Sequence, residues 1–216
     1  MYLLDIKTLF IMNFIILFIL SLYLLYLYKK NKTNITIQYF LYFCTLYSVA
    51  LFLFLLRNLI SDFISMVIAN TLFATANVSL YIAIRALFDE ETKWKNRYWI
   101  PIFIVFIGFC IFVYFHYDAN IRALIYLFFA LFYALLNTKL FLFSSSSKFK
   151  VFDKVSFIFF LLTSILYISI IIRINFQQVE TYYFSNVDIF ISFINYHMLF
   201  LNLWIIIVTR YRIKKV

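Results

Sequence analysis

RNLISDFISMVIANTLFATANVSLYIAIRALFDEE, residues 57–91, is the stretch whose reading decides the fold. Arg57 and Asp62 open it, and Arg85 leads from its far end into the acidic cluster Asp89, Glu90 and Glu91. Between Asp62 and Arg85 lie about 22 residues without a formal charge, enough to cross a bilayer as one helix. Two asparagines interrupt this apolar run. Asn70 and Asn77 are one heptad apart and so share a helix face.

The rest of the chain is greasier still. Its 216 residues are 66% hydrophobic with a mean hydropathy of +0.98, and only 13% are charged. That charged fraction cannot cover the surface of a soluble domain of this size. The expectation is a single all-α integral membrane domain, residues 1–216, with nearly every residue in or beside a span. One glycine and one proline leave little room for GxxxG packing or for the broken helices from which many transporters build midplane sites. The two cysteines, Cys44 and Cys110, sit in separate apolar runs and read as small buried hydrophobes.

Seven runs are long enough to span, at about residues 8–28, 36–56, 62–87, 98–117, 121–143, 155–174 and 188–209. The connections between them are short, which predicts an up-and-down bundle of antiparallel neighbours. Residues 144–154, SSSSKFKVFDK, read as a flexible link. The first run follows MYLLDIK, which carries no net positive charge, and it exceeds the length of a signal-peptide core, so it reads as a true first helix. Of the 19 Lys and Arg residues, only Lys7, Arg57, Arg122 and Arg173 fall on the side of the N-terminus. The other basic residues cluster at 29–32, 85–97, 139–154 and 210–215, and the positive-inside rule then places the N-terminus out and the C-terminus in. The formal net charge of +10 is thus explained by topology and by anionic lipid headgroups, and nucleic acid is not an expected partner.

No Gly-rich phosphate loop, HExxH or Cys/His metal spacing occurs, so the chain does not read as an enzyme and no cofactor or metal is expected. Polar residues at membrane depth remain, and they are functional candidates by default. Each outer loop brings one arginine beside a span end, Arg57, Arg122 and Arg173, together with the acids Asp62, Asp118, Glu180 and Asp188. In one bundle the three arginines would share a depth and could ring a pocket for an anionic or carbonyl-bearing ligand. The competing reading has each pair with its local carboxylate or snorkel to headgroups.

A ladder of asparagines runs deeper. Asn70 and Asn77 of the third span are matched by Asn195 and Asn202 of the seventh, also one heptad apart. The first of each pair would lie roughly 10 Å below the outer rim and the second roughly 21 Å below it. They are expected to couple the two helices, either as plain interhelical hydrogen bonds that fix register or as part of a ligand or signalling path. His116 and His197 complete the polar set and read first as hydrogen-bonded structural residues. Aromatic residues near span ends, among them Tyr26, Tyr28, Trp94, Tyr98, Trp99, Tyr182, Tyr183, Trp204 and Tyr211, read as an interfacial belt.

The opening stretch resembles the seven-helix membrane input region of bacterial diguanylate cyclases, the signalling proteins with GGDEF output domains. The likeness rests on Arg57, Asp62, Ser65, Ala69-Asn70, and Arg85 with Phe88, on the opening Asp5, Thr8 and Leu9, and on the single arginines Arg122 and Arg173. It implies a sensory or regulatory module in a bacterial cytoplasmic (inner) membrane. Such a module would detect an extracytoplasmic or membrane-borne signal at Arg57, Asp62, Asn70, Arg122 and Arg173. The seventh helix would hand the signal to the cytoplasm. The sequence ends at RYRIKKV without a GGDEF motif, so the expected effector is a separate cytoplasmic protein, a homologous full-length receptor, or a domain lost to truncation. Contact with membrane lipid and association as a homo-oligomer are also expected. A small-solute transporter is the alternative that the polar third and seventh spans allow.

Overall fold

A computed structural model of the chain describes residues 6–88, 95–115, 119–143, 150–176, 198 and 200–209. Helices dominate this set, and it contains no strand beyond an isolated bridge between Arg57 and Ile60. Six helices are long and apolar enough to cross a membrane. Helix α1 is Ile6–Lys30 and α2 is Ile35–Leu55. Helix α3 begins with the π-helical Phe63–Ile68 and continues as α-helix through Ala69–Ala86. The 3-10 turn Asn96–Tyr98 leads into α4, Trp99–Tyr114, followed by α5, Ala119–Leu142, and α6, Lys150–Phe176. A shorter apolar helix, α7, covers Phe200–Thr209.

The ends of these helices follow local chemistry. Lys29 and Lys30 close α1, where cations complement the carbonyl-bearing terminus, and the Lys30 ammonium sits 4.6 Å from the Tyr26 ring centroid. Asn34 caps α2, its side chain accepting from the Ile37 amide at 3.1 Å. The α2–α3 connection is a tight turn in which the Leu59 amide donates to the Leu56 carbonyl at 2.9 Å. Asn58 within it has φ of 77°, a left-handed conformation that asparagine adopts more easily than other side-chain-bearing residues.

Helix α3 is the centre of the bundle. Of its apolar stretch 61% is buried, against at most 44% in any other long helix, and it packs against α2, α4 and α5. Small residues make this packing close. Ala69, Ala74, Ala76, Ala83 and Ser79 are all buried, so backbones approach without the glycines that membrane helices often use. The only glycine in the chain, Gly108 of α4, faces α5, and a Cβ there would lie 3.1 Å from Cδ1 of Ile125. Between lipid-embedded helices such van der Waals fit, with internal hydrogen bonds, supplies the attraction that water supplies in soluble proteins. The outward faces, including Phe103, Ile104, Phe128, Leu162 and Ile165, are exposed large apolar side chains suited to lipid contact.

Several sequence expectations shift. The span expected at 62–87 is not α-helical throughout, because its first turns are π-helical. Helix α6 starts at Lys150, so the second half of the expected 144–154 link is helix, and Asp153 in its first turn is buried. Residues 144–149 lie outside the described set, as do all but the last turns of the expected span at 188–209. Tyr98 and Trp204 do not join an interfacial belt. Both are only 6% exposed, whereas Trp99 at 54% and Tyr26 at 54% face outward as expected. Trp94, Tyr182, Tyr183 and Tyr211 fall outside the described residues.

Candidate functional site

The antiparallel course of the helices places Arg57, Asp62, Arg122 and the backbone of Arg173 at one end of the bundle. Arg57 is half-buried at the end of α2 with its guanidinium carbon 5.9 Å from the Phe54 ring centroid, a contact within its own helix end. Asp62 is exposed just before the π-helical turn, and its side chain makes no capping bond. Arg122 is buried, and its guanidinium donates to the Phe112 carbonyl at 3.0 Å. Phe112 belongs to the last turn of α4, where carbonyls lack intrahelical partners, so Arg122 clips the head of α5 to the tail of α4. The Arg173 side chain lies outside the described residues, as do Asp118, Glu180, Asp188 and both histidines.

The polar residues of α3 turn their donors inward to the helix itself. The Asn70 amide donates to the Met66 carbonyl at 2.6 Å, and the Asn77 amide to Phe73 at 2.9 Å. Thr71, Thr75 and Ser79 likewise donate to carbonyls four residues earlier, at 2.8 to 3.0 Å. This back-bonding satisfies hydroxyl and amide protons without a partner helix and loosens helix geometry. It leaves the Asn side-chain oxygens as acceptors for whatever lies across the interface. Asn202 of α7 is 1% exposed, and neither its Nδ2 nor its Oδ1 has a hydrogen-bond partner among the described residues. No hydrogen bond between Asn77 and Asn202 is therefore made. Asn195 lies outside the described set.

What Asn77 does face is a partly open cavity lined by residues of α2, α3, α5, α6 and α7 and by Met198. Its lining includes the polar residues Asn77, Asn137, Tyr47, Tyr126, Tyr133, Tyr167 and Thr163. On α5 the lining residues Tyr126, Ala130, Tyr133, Ala134 and Asn137 recur at helical spacing, so one face of that helix forms a wall about 16 Å long. The Tyr126 hydroxyl lies within interaction range of both the Tyr47 hydroxyl and the Asn77 side chain. Thr163 spends its proton on the Phe159 carbonyl at 2.8 Å. Asn137 is 2% exposed, and its Oδ1 has no hydrogen-bond partner among the described residues. Met198 and Leu201 complete the wall, which brings the third helix and the seventh to one shared space.

Aromatic rings pack around the residues that line the cavity. Toward the α2–α3 turn, the Phe73 ring packs 4.6 Å from that of Tyr47 and 6.1 Å from that of Tyr126. Toward the other end, Phe160 lies 5.5 Å from Trp204 and stacks on Phe141 at 5.7 Å. The Trp204 indole N–H donates to the Ser156 hydroxyl at 2.9 Å, which ties α7 to α6. Beside this plug, Tyr133, Tyr81 and Tyr98 form edge-to-face contacts at 5.8 and 6.1 Å. That row leads to Arg85, whose guanidinium donates to the Tyr98 hydroxyl at 3.4 Å.

The described lining residues are neutral, so the chemistry they offer is hydrogen bonding. Among the described residues, no group of three or more His, Cys, Asp or Glu could hold a metal ion. Asn137, Tyr47, Tyr126 and Tyr167 were not singled out from the sequence. Asn137 alone carried a usable signal, a polar residue within a span, whereas tyrosines in an aromatic-rich chain give none. No protein family, curated protein or solved structure matches the chain.

Proposed function

We propose that the chain is a sensory or regulatory module of a bacterial cytoplasmic membrane. It would have seven spans with the N-terminus outside and the C-terminus inside, and act on a cytoplasmic effector or a homologous full-length receptor. The observation that carries this reading is the cavity in which Asn77 of α3 meets Met198 and Leu201 at the entry to α7. A signal that alters the packing of α3 against this space changes the position of the helix that leads into the cytoplasm, and switching of this kind works by biasing two packings of one bundle. The resemblance of residues 57–88 to diguanylate cyclase input regions supports the same reading, as does the cluster of basic residues at the ends assigned to the cytoplasm. Arg57, Asp62, Asn70, Arg122 and Arg173 remain the proposed signal-facing residues. Arg122 acts among them through the α4–α5 clip.

The test is a fusion. A diguanylate cyclase domain joined behind Val216 and reconstituted in vesicles is expected to change its output when Asn77→Leu or Tyr126→Phe is introduced. Equal cyclase output from the parent and both variants overturns the proposal. A polar cavity would also suit a small-solute permease, and directional flux in proteoliposomes would decide for that function instead.

A further inference from the structure

The cavity between α3, α5 and α6 holds a contradiction that the described residues leave standing. Asn137 Oδ1 is an acceptor buried in an apolar bundle with no donor among the described residues, although tyrosines line the same space. A buried polar atom left this way costs a few kcal/mol in order of magnitude, and native structures almost always satisfy it. The space that Asn137 adjoins measures about 20 Å³ to the centre of a water-sized sphere, room for one or two water molecules. It also offers the two to four polar partners a buried water needs, through the lining residues Asn77, Asn137, Tyr47, Tyr126 and Tyr167. The described lining residues include no carboxylate, so they offer a cation no counter-charge in a low-dielectric site.

We infer that the cavity is a binding site for resident water. One or two molecules donate to Asn137 Oδ1 and join it to the phenols of α2, α5 and α6 and to Asn77 of α3. These helices are then held at mid-bundle by exchangeable hydrogen bonds, which cost little to rearrange and suit an element that must adopt two packings. The row Tyr133, Tyr81, Tyr98 and Arg85 supplies polar groups between the cavity and the end of the bundle from which water would enter.

Radiolytic hydroxyl-radical labelling of the full chain in lipid nanodiscs tests this, because radicals form where water resides and oxidise the side chains beside it. Met198 lines the cavity and Met66 does not, yet both are 5% exposed. Met66 lies near the α2–α3 turn and so closer to the membrane surface, which makes the comparison stringent. The expected result is labelling of Met198 several-fold faster than of Met66. A second arm fills the space with Ala130→Leu, which is expected to lower Met198 labelling to the Met66 rate while exposed Tyr26 is labelled as before. Met198 labelled no faster than Met66 in the unmodified protein overturns the inference, and that first comparison needs no variant to fold. The labelling reports hydration alone, so it can fail while the cyclase fusion still responds, and the reverse.

Discussion

At the scale of single residues, the unusual positions are those whose backbone or surroundings few side chains tolerate. Asn58 is one, at φ of 77° in the α2–α3 turn. Any Cβ crowds the following carbonyl in this region, which asparagine tolerates best and a β-branched residue least, so Asn58→Val is expected to lose about 1–2 kcal/mol, while Asn58→Gly is tolerated. Thermal unfolding in detergent reads the difference, and equal midpoints for the two variants would contradict the turn geometry. Asn202 is the opposite case, an amide buried at 1% exposure with neither polar atom paired among the described residues. Leucine has the same branching and no polar atoms, so Asn202→Leu is expected to raise stability by about 1–3 kcal/mol. A lowered unfolding midpoint would show that the amide has a partner after all. Asn202 was visible in the sequence as a polar residue within a span. That it is buried without a partner among the described residues was not, because one sequence position does not say what lies opposite.

At the scale of helices, apolar runs located the elements closely. The expected spans at 36–56 and 121–143 match α2, Ile35–Leu55, and α5, Ala119–Leu142, to within two residues at each end. What the runs could not say is which face of each helix turns inward. In water an apolar stripe marks the buried face, but in lipid both faces are apolar and the period of 3.6 fades. Trp204 illustrates the loss, since an aromatic residue near a span end reads equally as belt or core. The structure buries it among Phe40, Phe141 and Phe160. The π-helical opening of α3 was equally hidden, because its residues, FISMVI, are as compatible with an α-helix. Arg122 was legible as a charge at a span end, and its neighbour was not. Because it reaches the Phe112 carbonyl, it holds α4, the least buried of the six long helices at 28%. Arg122→Met keeps the length of the side chain and removes the donor. It is expected to cost about 1.5–3 kcal/mol, the range for a hydrogen bond to a charged group. An unchanged unfolding midpoint would return Arg122 to the role of a freely available ligand-binding charge.

At the scale of the whole molecule, the proposed orientation and the packing make one joint prediction. The polar interior is gathered around α3, the large apolar side chains face outward, and the two ends differ sharply in charge. The α1–α2 turn carries Asn31, Lys32, Thr33 and Asn34 beside Lys29 and Lys30, whereas the α2–α3 turn has Arg57 and Asp62 as its charges. Basic residues near span ends are retained on the cytoplasmic side, so the proposed orientation puts the first turn inside and the second outside. Thr33 and Leu59 are both exposed, Leu59 at 80%, and each is open to a reagent on its own side of the bilayer. The native thiols interfere little, as Cys44 is buried and Cys110 half-buried within helices. With Cys110→Ser as background, Leu59→Cys is expected to react with a membrane-impermeant maleimide added to intact cells. Thr33→Cys is expected to react only after the membrane is opened. Both labelled from the same side would break the antiparallel α1–α2–α3 course itself. The reverse pattern would keep the bundle and invert the proposed topology, moving Arg57, Asp62 and Arg122 to the cytoplasmic face, where they could no longer meet an external signal.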